Sequence, residues 1–371
     1  MRRSDTHMKG RIWLAAGGTG GHVFPAIHTA HALEDRGFDV FMITDKRGKR
    51  LLPEQMNRAV IAAASPFAGS RLSRICALVK LSAGFLQSLA LLLRKRPQAV
   101  VGYGGYPAAA PTLAAWLLRI PVWLHEQNAV MGRTNQMLSR LVRQVFTSWP
   151  ETRGLPSSVR HLHTGVPVAK AFTALPDYIP ARDTGPLHLA VFGGSLGARL
   201  FADIIPQAVG HLPADLKRAL QVSQQAREDQ IPALNAIYAE QNIAADIRPF
   251  FADVAGVMAS ADLIISRAGA STVAELAAAG RPSVLIPFAH ALDGHQQANA
   301  NQLAGVGGTA SLSEKDASAA HLAELLEELL STPERRQEQA RAARTIARPD
   351  AAKQICSVLE EHLSSPSQEA A

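Results

Sequence analysis

The chain has 371 residues, which is long for one ordinary domain and predicts two. Hydrophobic residues make up 47% of it and charged residues 19%, as in a globular α/β enzyme with a sizeable core. Cys76 and Cys356 form no CxxC pair, which argues against a zinc site or a disulfide framework. The net charge of +7 predicts acidic partners, but aromatic residues are only 5% and form no basic stripe, so we expect no nucleic-acid binding.

No targeting or membrane-spanning segment is expected. The apolar run 12–16 is too short for the core of a signal peptide and leads directly into glycines. The longest apolar region, 72–93, is interrupted by Arg74 and Lys80, among other polar residues, and is not expected to cross a membrane.

The first elements predict a βαβ unit. A strand at 12–16 is followed by the glycine-rich stretch 17–22, a helix from about 25 to 35, and a strand at 38–44. The stretch is not a dinucleotide fingerprint, because Val23 stands where the third glycine belongs, and it lacks the Walker lysine. Four glycines exceed what a tight turn requires, which favours a cradle of backbone N–H groups for a phosphate or a sugar.

Two further strands are each followed by a polar or glycine-rich stretch. The strand 99–101 leads into GYGGYP, and the strand 122–124 leads into HEQN. Because parallel strands end at one edge of their sheet, these stretches are expected to converge there. His125 and Glu126 have two equally open interpretations, a hydrogen-bonded pair that stiffens the loop and a direct ligand role.

Prolines between residues 166 and 185 mark a domain boundary. Beyond them, a strand at 187–192 is followed by the glycine-rich stretch GGSLGAR, the same order of strand and glycines as at the start of the chain. This repeat predicts a second similar domain, in which Ser195 belongs to a second anion-binding turn. Strands are expected near 220–222 and 246–248, an exposed or amphipathic helix at 319–344, and a last helix at 351–363.

Residues 262–301 are the most informative stretch. They predict a strand at 263–266, a helix that begins near Thr272, a strand at 283–286 and a polar loop before a helix at Gln296. The helix N-terminus favours an anion such as a diphosphate. Glu275 either closes a capping box with Thr272, which spacing alone favours, or accepts hydrogen bonds from a ribose diol.

Six motifs, taken together and in order, resemble one known family. They are GGTGGH (17–22), GYGGYP (102–107), HEQN (125–128), GGSLGAR (193–199), SRAGASTVAE (266–275) and DGHQQANA (293–300). The family is that of the undecaprenyldiphospho-muramoylpentapeptide β-N-acetylglucosaminyltransferases, GT-B glycosyltransferases of the family 28 type. The resemblance implies two Rossmann-like, doubly wound parallel-sheet domains that face each other across a cleft. Residues 1–168 would form the acceptor and membrane domain, with a helix in 350–371 packing back on it, and residues 169–349 would bind UDP-N-acetylglucosamine.

The resemblance also implies the reaction. N-acetylglucosamine would move with inversion from UDP-N-acetylglucosamine to the C4 hydroxyl of the muramoyl-pentapeptide of lipid I, giving lipid II for peptidoglycan synthesis. The enzyme would be peripheral, on an anionic membrane surface at the cytoplasmic face of the inner membrane. Another UDP-sugar glycolipid glycosyltransferase or a UDP-N-acetylglucosamine 2-epimerase is the alternative, which the acceptor-side motifs disfavour. No cofactor and no metal are expected, since the sequence contains no DxD triplet.

Site residues follow from position within the family's motifs. The resemblance assigns donor binding to Thr19, Gly20, Gly21, Asn128, Ser195, Phe251, Ala270, Ser271, Thr272, Glu275, Gln296 and Gln297, with the backbone of Phe251 facing uracil. It assigns acceptor binding to Gly104, Gly105, Tyr106 and His125. For Glu275 it moves the preference from cap to ribose ligand. His22 is the candidate general base, because imidazole titrates near neutral pH, with Glu126 as the alternative. His22 could instead only orient the acceptor.

The chain departs from the family at the domain junction. Residues 165–169 read GVPVA where the family often has GNPVR, so both the asparagine and the arginine are missing. A donor contact from that arginine is therefore not expected of Ala169, and the side chain of Lys170 would leave in another direction.

The segment 71–96 has two interpretations. It could form an apolar patch with a basic rim, suited to an anionic membrane, or an ordinary buried amphipathic helix. A polyprenyl-linked acceptor favours the patch. Its expected members are Leu72, Ile75, Val79, Phe85 and Leu86, with Arg71, Arg74 and Lys80 on the rim.

Overall fold

The computed structural model describes residues 9–61, 71–180, 185–194 and 199–364, and for residues 71–78 and Leu292 it describes the backbone only. The chain divides into two compact units. The first unit comprises residues 1–168 and 348–371, and the second comprises residues 169–347.

The first unit is built on a parallel sheet that contains seven strands within the described part of the chain. The strands are β1 (Arg11–Ala15), β2 (Asp39–Thr44), β3 (Arg58–Val60), β4 (Ala99–Gly102), β5 (Val122–Glu126), β6 (Gln144–Thr147) and β7 (His161–His163). They lie in the order β3-β2-β1-β4-β5-β6-β7. The helices are α1 (Gly20–Asp35), α2 (Lys46–Lys49), α3 (Arg71–Arg94), α4 (Tyr106–Leu117) and α5 (Arg133–Leu138).

The second unit repeats this arrangement with six parallel strands among its described residues. They are β8 (Leu187–Phe192), β9 (Leu220–Gln225), β10 (Ala244–Arg248), β11 (Leu263–Ser266), β12 (Ser283–Leu285) and β13 (Ala310–Ser311), in the order β10-β9-β8-β11-β12-β13. The helices are α6 (Lys170–Thr173), α7 (Arg199–Gly210), α8 (Ala214–Ala219), α9 (Ile231–Glu240), α10 (Val254–Ser260), α11 (Ala270–Ala279), α12 (His295–Ala304), α13 (Ala319–Ser331) and α14 (Pro333–Thr345).

The last helix, α15 (Ala351–Ser364), belongs to the first unit and packs on α1. Ile355, Cys356 and Leu359 are buried in the same apolar cluster as Leu33 of α1. Glu360 bridges Lys9 and Arg36 at the edge of this contact.

Hydrophobic runs explain why the central strands form. Ile12 to Ala15 of β1 and Leu263 to Ile265 of β11 are fully buried, as expected for parallel strands covered by helices on both faces. In both sheets the strand order reverses beside the first strand, between β1 and β4 and between β8 and β11. Such a reversal point opens a crevice at the carboxyl ends of the strands. The prediction of two Rossmann-like parallel-sheet domains is confirmed.

Three helix boundaries differ from the prediction. Helix α1 begins at Gly20 rather than near Pro25, so His22 lies in its first turn and Pro25 lies inside the helix. Helix α11 begins at Ala270, two residues before the expected Thr272, because Gly269 takes the extended N-cap conformation. The segment 319–344 is two helices, because Pro333, without a backbone N–H, starts a new helix after Thr332.

Candidate functional site

The first glycine-rich loop joins β1 to α1 at the reversal point of the first sheet. Gly18 has a left-handed φ of +82°, and Thr19 is the extended N-cap of α1. A carboxylate oxygen of Asp45 accepts hydrogen bonds from Gly18 N at 3.0 Å and from Gly48 N at 2.8 Å. Asp45 therefore fixes the conformation of the loop. The sequence analysis did not predict a role for Asp45.

The loop after β4 lies beside the first turn of α1. Gly104 and Gly105 both have left-handed φ values, +80° and +72°. A Cβ on Gly105 would lie 3.2 Å from Cδ2 of His22, so only glycine allows this loop to pass so close to the imidazole ring. Tyr106 follows as the first residue of α4 and is partly exposed.

Glu126 ends β5 and is 1% exposed. One carboxylate oxygen accepts hydrogen bonds from N and Nδ2 of Asn128, at 3.0 and 3.1 Å. The other accepts from Gly132 N at 3.0 Å and from Asn135 Nδ2 at 2.8 Å. Four donors from its own loop use up the acceptor capacity of the carboxylate, which favours the structural interpretation of Glu126 over that of a proton acceptor.

His125 is also held inside the first unit, with 0% exposure and its ring stacked on Tyr103 at 5.2 Å between centroids. Its Nε2 lies 3.0 Å from Gly165 O, and its Nδ1 lies 3.1 Å from Nε2 of Gln127. Burial lowers its pKa to about 4, so the ring is neutral near pH 7. With both ring nitrogens engaged and no exposed surface, His125 supports the loop rather than contacting an acceptor directly.

His22 lies close to this network. Its Nδ1 is 2.9 Å from Oε1 of Gln127, and its side chain is partly exposed. Gln127 is only 1% exposed, and its Nε2 donates to Tyr103 O at 3.0 Å. The structure thus joins three predicted stretches, the glycine loops after β1 and β4 and the HEQN motif after β5. The sequence indicated that Gln127 is polar but gave no reason to link it to His22.

The corresponding glycine loop of the second unit follows β8. Gly194 has a left-handed φ of +79°, equivalent to that of Gly18 in the first unit. Ser195, which the sequence places in the second anion cradle, lies outside the described residues. The described chain resumes at Arg199, where α7 begins.

Helix α11 carries four of the predicted donor residues. Ala270, Ser271 and Thr272 form its first turn, and Glu275 lies one turn further on. The capping box expected between Thr272 and Glu275 is wrong, because Gly269 is the N-cap and no side chain caps the helix. Burial raises the pKa of Glu275 to about 8, and none of the hydrogen bonds among the described residues reaches its carboxyl group. Although the residue is partly exposed, its carboxyl group therefore lies where desolvation favours the protonated form.

The loop between β12 and α12 carries the two predicted glutamines. Asp293 and Gly294 both have left-handed φ values before α12 begins at His295. Oε1 of Gln296 accepts from Phe288 N at 2.9 Å, and Nε2 of Gln297 donates to Asn301 at 2.9 Å. Both side chains therefore fold back on their own loop and helix.

An ion pair that the sequence did not reveal braces this loop. Arg267 donates to Glu314 at 2.8 Å and to Ile286 O at 3.1 Å, and its guanidinium lies over the rings of Phe201 and Phe288. Glu314 also accepts from Ala289 N at 2.6 Å. The three bonds fix the chain just after β12.

Phe251, the predicted uracil contact, is 5% exposed at the start of the segment before α10. Its ring meets that of Phe192 edge-on at 6.2 Å, and the guanidinium of Arg248 lies 5.7 Å from its centroid. A buried ring fits the expectation that the backbone of this residue, rather than its side chain, faces the base.

The described part of the chain contains no group of three or more His, Cys, Asp or Glu side chains placed to hold a metal ion. Among the same residues, no helix has the length and hydrophobicity needed to cross a membrane. The absence of a metal requirement stays a prediction.

Sequence comparison matches both units to one family. The description "Glycosyltransferase family 28 N-terminal domain" matches residues 12–147, and "Glycosyltransferase family 28 C-terminal domain" matches residues 188–355. The chain belongs to glycosyltransferase family 28.

Within family 28, the chain is similar to enzymes named UDP-N-acetylglucosamine–N-acetylmuramyl-(pentapeptide) pyrophosphoryl-undecaprenol N-acetylglucosamine transferase. The one from Methylobacterium sp. (strain 4-46) is 43% identical, with 94% of this chain and 96% of that protein covered. The one from Rhizobium meliloti (strain 1021) is 42% identical, with 95% of each chain covered. The resemblance that the six motifs indicated is therefore confirmed.

Solved structures agree with this placement in family 28. The crystal structure of Acinetobacter baumannii MurG is 32% identical, covers 95% of this chain and 99% of its own, and has a TM-score of 0.77. A Staphylococcus aureus structure titled "MnaA-UDP co-structure" has a TM-score of 0.69 at 14% identity, with 96% of this chain and 99% of that chain covered, and shares the fold alone.

Proposed function

We propose that the chain is the inverting N-acetylglucosaminyltransferase that uses UDP-N-acetylglucosamine as donor and the C4 hydroxyl of lipid I as acceptor, giving lipid II. The observation that carries this is the identity of 43% to a transferase so named over 94% of the chain, through both family 28 domains. We assign the donor to the second unit and the acceptor to the first.

In the second unit, the N-terminus of α11 and the carboxyl of Glu275 support the donor assignment. The positive end of the helix dipole favours a diphosphate, and negative charge grows on that diphosphate as the bond to the sugar breaks. The partly exposed Glu275 carboxyl accepts hydrogen bonds from the ribose hydroxyls, for which it has no competing donor among the described residues. Ser195, Gln296 and Gln297 are proposed contacts of the diphosphate and the sugar, by their places in the family's motifs.

In the first unit, His22 is the proposed general base. It lies in the first turn of α1, partly exposed, directly after the predicted donor contacts Thr19 to Gly21 and beside the glycine loop that is assigned to the acceptor. The acceptor oxygen forms a bond to C1 of N-acetylglucosamine, the bond from C1 to the diphosphate breaks with its electron pair leaving on UDP, and His22 takes the hydroxyl proton. Glu126 is the weaker candidate, because four loop donors occupy its carboxylate.

Product analysis with labelled UDP-N-acetylglucosamine and a lipid I analogue tests the reaction. We expect labelled sugar in the lipid product and equimolar UDP. Free UDP without labelled lipid, or conversion of the nucleotide sugar to its 2-epimer, would reject the proposal.

Replacing His22 tests the base in the same assay. We expect His22→Ala to lower kcat by roughly 10²–10⁴-fold, the usual contribution of general base catalysis, and to leave KM for the donor nearly unchanged. An unchanged kcat would exclude His22 as the base.

We also propose that helix α3 meets an anionic membrane surface from the cytoplasmic side. Val79, Leu86 and Leu93 are 62%, 62% and 61% exposed, and their spacing of seven residues places them on one face of α3. The exposed Lys80 and the exposed basic residues 94–96 accompany them. Phe85, expected in the patch, instead packs partly against the core cluster beneath α3. For Leu72, Ile75, Arg71 and Arg74 only the backbone is described.

Vesicle sedimentation tests this surface. We expect binding to anionic vesicles that weakens with salt and is reduced in Val79→Ser/Leu86→Ser. Ile179→Ser is the control, because Ile179 is 82% exposed in the second unit and its loss removes exposed apolar area away from α3. Equal binding by all three proteins, or no binding at any salt concentration, would reject the surface.

A further inference from the structure

A chain of hydrogen bonds leads from a fully buried carbonyl group to the ring of His22. Gly165 O lies 3.0 Å from Nε2 of His125, whose Nδ1 lies 3.1 Å from Nε2 of Gln127. Oε1 of Gln127 in turn lies 2.9 Å from Nδ1 of His22. Only His22 among these side chains has an exposed part.

The orientation of the Gln127 amide is fixed by groups that can only accept. Its Nε2 lies 3.0 Å from Tyr103 O and 3.3 Å from His125 O, and a backbone carbonyl oxygen needs a donor. Reversing the amide would place its oxygen against two carbonyl oxygens inside a site with 1% exposure, leaving buried acceptors unpaired. The atom that faces His22 is therefore the amide oxygen.

An amide oxygen has no proton to give, so the hydrogen bond between Gln127 and His22 requires a proton on Nδ1 of His22. In a neutral imidazole only one nitrogen carries a proton. Nε2 of His22 then holds the lone pair. Without this partner, the proton would distribute between the two nitrogens, and part of the population could not accept a proton at Nε2.

We propose that Gln127 is a positioning residue that holds His22 in the Nδ1–H tautomer and so makes Nε2 the atom that takes the acceptor's proton. This inference rests on the proposed function in one respect only, the role of His22 as base. His125 continues the network: its Nε2–H donates to Gly165 O, its Nδ1 accepts from Gln127, and it stays neutral because burial lowers its pKa to about 4.

The partner of His22 is neutral, and this affects the chemistry. After Nε2 takes the proton, both ring nitrogens carry protons, and the Nδ1–H still donates to Gln127. A neutral amide orients the imidazolium without the strong attraction of a carboxylate, so the ring can release its proton for the next cycle. Gly105, which would contact the ring if it bore a side chain, keeps the other side of His22 open.

The test uses the full-length chain with ¹⁵N-labelled histidine. In the wild type we expect NMR to show a protonated Nδ1 and an unprotonated Nε2 for His22, assigned by comparison with His22→Ala. The opposite tautomer, or an even mixture, would overturn the inference whether or not the enzyme turns over lipid I. This measurement is therefore independent of the proposed function.

Two variants separate tautomer control from a packing role. Gln127→Leu fills similar volume but offers no acceptor, so we expect a mixed tautomer and a kcat lowered roughly ten- to hundredfold, with KM for the donor within about twofold. Gln127→Glu keeps an oxygen opposite Nδ1, so we expect the Nδ1–H tautomer, and this tautomer is its readout because its second oxygen faces Tyr103 O and His125 O without a donor and lowers kcat for a separate reason. Gln55→Leu, on the surface of the same unit, is the control and should change neither quantity.

Equal losses in Gln127→Leu and Gln127→Glu with an unchanged tautomer would assign Gln127 to packing and overturn the inference. A wild-type kcat in Gln127→Leu would do the same. If His22→Ala is fully active while the wild-type tautomer is Nδ1–H, the base assignment fails and the structural link between Gln127 and His22 stands.

Discussion

Glu126 and Glu275 are two carboxyl groups near the carboxyl edges of the two sheets, and their surroundings are opposite. Glu126 accepts four hydrogen bonds from its own loop. Glu275 receives none from the described residues, and burial raises its pKa to about 8. The two glutamates thus differ in the hydrogen-bond donors around the carboxyl group, and this difference is what separates a structural role for Glu126 from the ligand role proposed for Glu275.

The largest effect is expected from Glu126→Gln. The glutamine keeps one acceptor oxygen but turns an NH₂ group towards two of the four donors, and each buried donor left unpaired costs about 1–3 kcal/mol. We therefore expect the free energy of unfolding of the first unit to fall by about 3 kcal/mol. Urea unfolding followed by the fluorescence of Trp123 and its neighbours measures this change.

Glu54→Gln is the matched control for that experiment, because Glu54 is an exposed glutamate of the same unit. It should change the unfolding midpoint little. If Glu126→Gln were as stable as this control but inactive, Glu126 would belong to the chemistry and the comparison with Glu275 would fail.

For Glu275→Gln we expect the reverse pattern, a protein that folds normally and binds UDP about tenfold more weakly. The amide still accepts from one ribose hydroxyl but lacks the charge-assisted bonds, which are worth about 1.5–3 kcal/mol each. Isothermal titration with UDP gives the affinity. If Glu275→Gln bound UDP as tightly as the wild type, Glu275 would not be part of the donor site.

The pH dependence of UDP binding sharpens the same point. With a pKa of about 8, Glu275 is mostly protonated at pH 7, and hydroxyl donors from the ribose favour the ionised form. Binding at pH 7 should therefore release a proton, and affinity should rise as the pH approaches 8. Titrations in two buffers of different ionisation enthalpy measure the release, which should vanish in Glu275→Gln.

Stability should depend on Glu275 in the opposite direction. Because its folded pKa of about 8 lies above its ordinary value of 4.5, the folded chain holds a proton that the unfolded chain has already lost. The resulting stability is present in full below about pH 4.5 and is lost as the pH rises through about 8. The unfolding free energy of the wild type relative to Glu275→Gln should therefore decline between pH 5 and 9, as urea melts at several pH values would show.

The smallest effect is expected from Glu360→Gln on α15. This partly exposed carboxylate pairs with Lys9 and Arg36, and the hydrogen bond from Lys9 is the main cause of its lowered pKa. Exposed ion pairs are screened by water, so the loss should be at most about 1 kcal/mol, present above pH 4.5 and absent once Glu360 is protonated. Thermal melts of the wild type and Glu360→Gln at pH 7 and pH 3 measure this loss of stability. A loss as large as that of Glu126→Gln would show that the exposure of a carboxylate does not determine how much its hydrogen bonds stabilise the fold.

The sequence was sufficient for the fold because buried parallel strands are continuous apolar runs with glycine-rich ends, as in β1 and β8. It was less informative at helix starts. Helix α1 begins at Gly20, and Gly269 is the N-cap of α11, yet a glycine in either position gives no distinctive signal in the sequence. The residue at which each helix begins depends on the path that the chain takes from the preceding strand. It also missed contacts between distant segments, such as Asp45 with Gly18 and Gln127 with His22, because pairing across 27 and 105 residues depends on the sheet order.

The placement of α15 has a consequence for how the protein is made. The cluster of Leu33 and its neighbours in the first unit is covered only when Ile355 and Leu359 have left the ribosome. At about 5–20 residues per second, translation of the intervening second unit takes roughly 10–40 s. During that time the apolar side chains of α1 that α15 later covers stay exposed to solvent, and exposed apolar surface of this kind on a nascent chain favours binding by a chaperone.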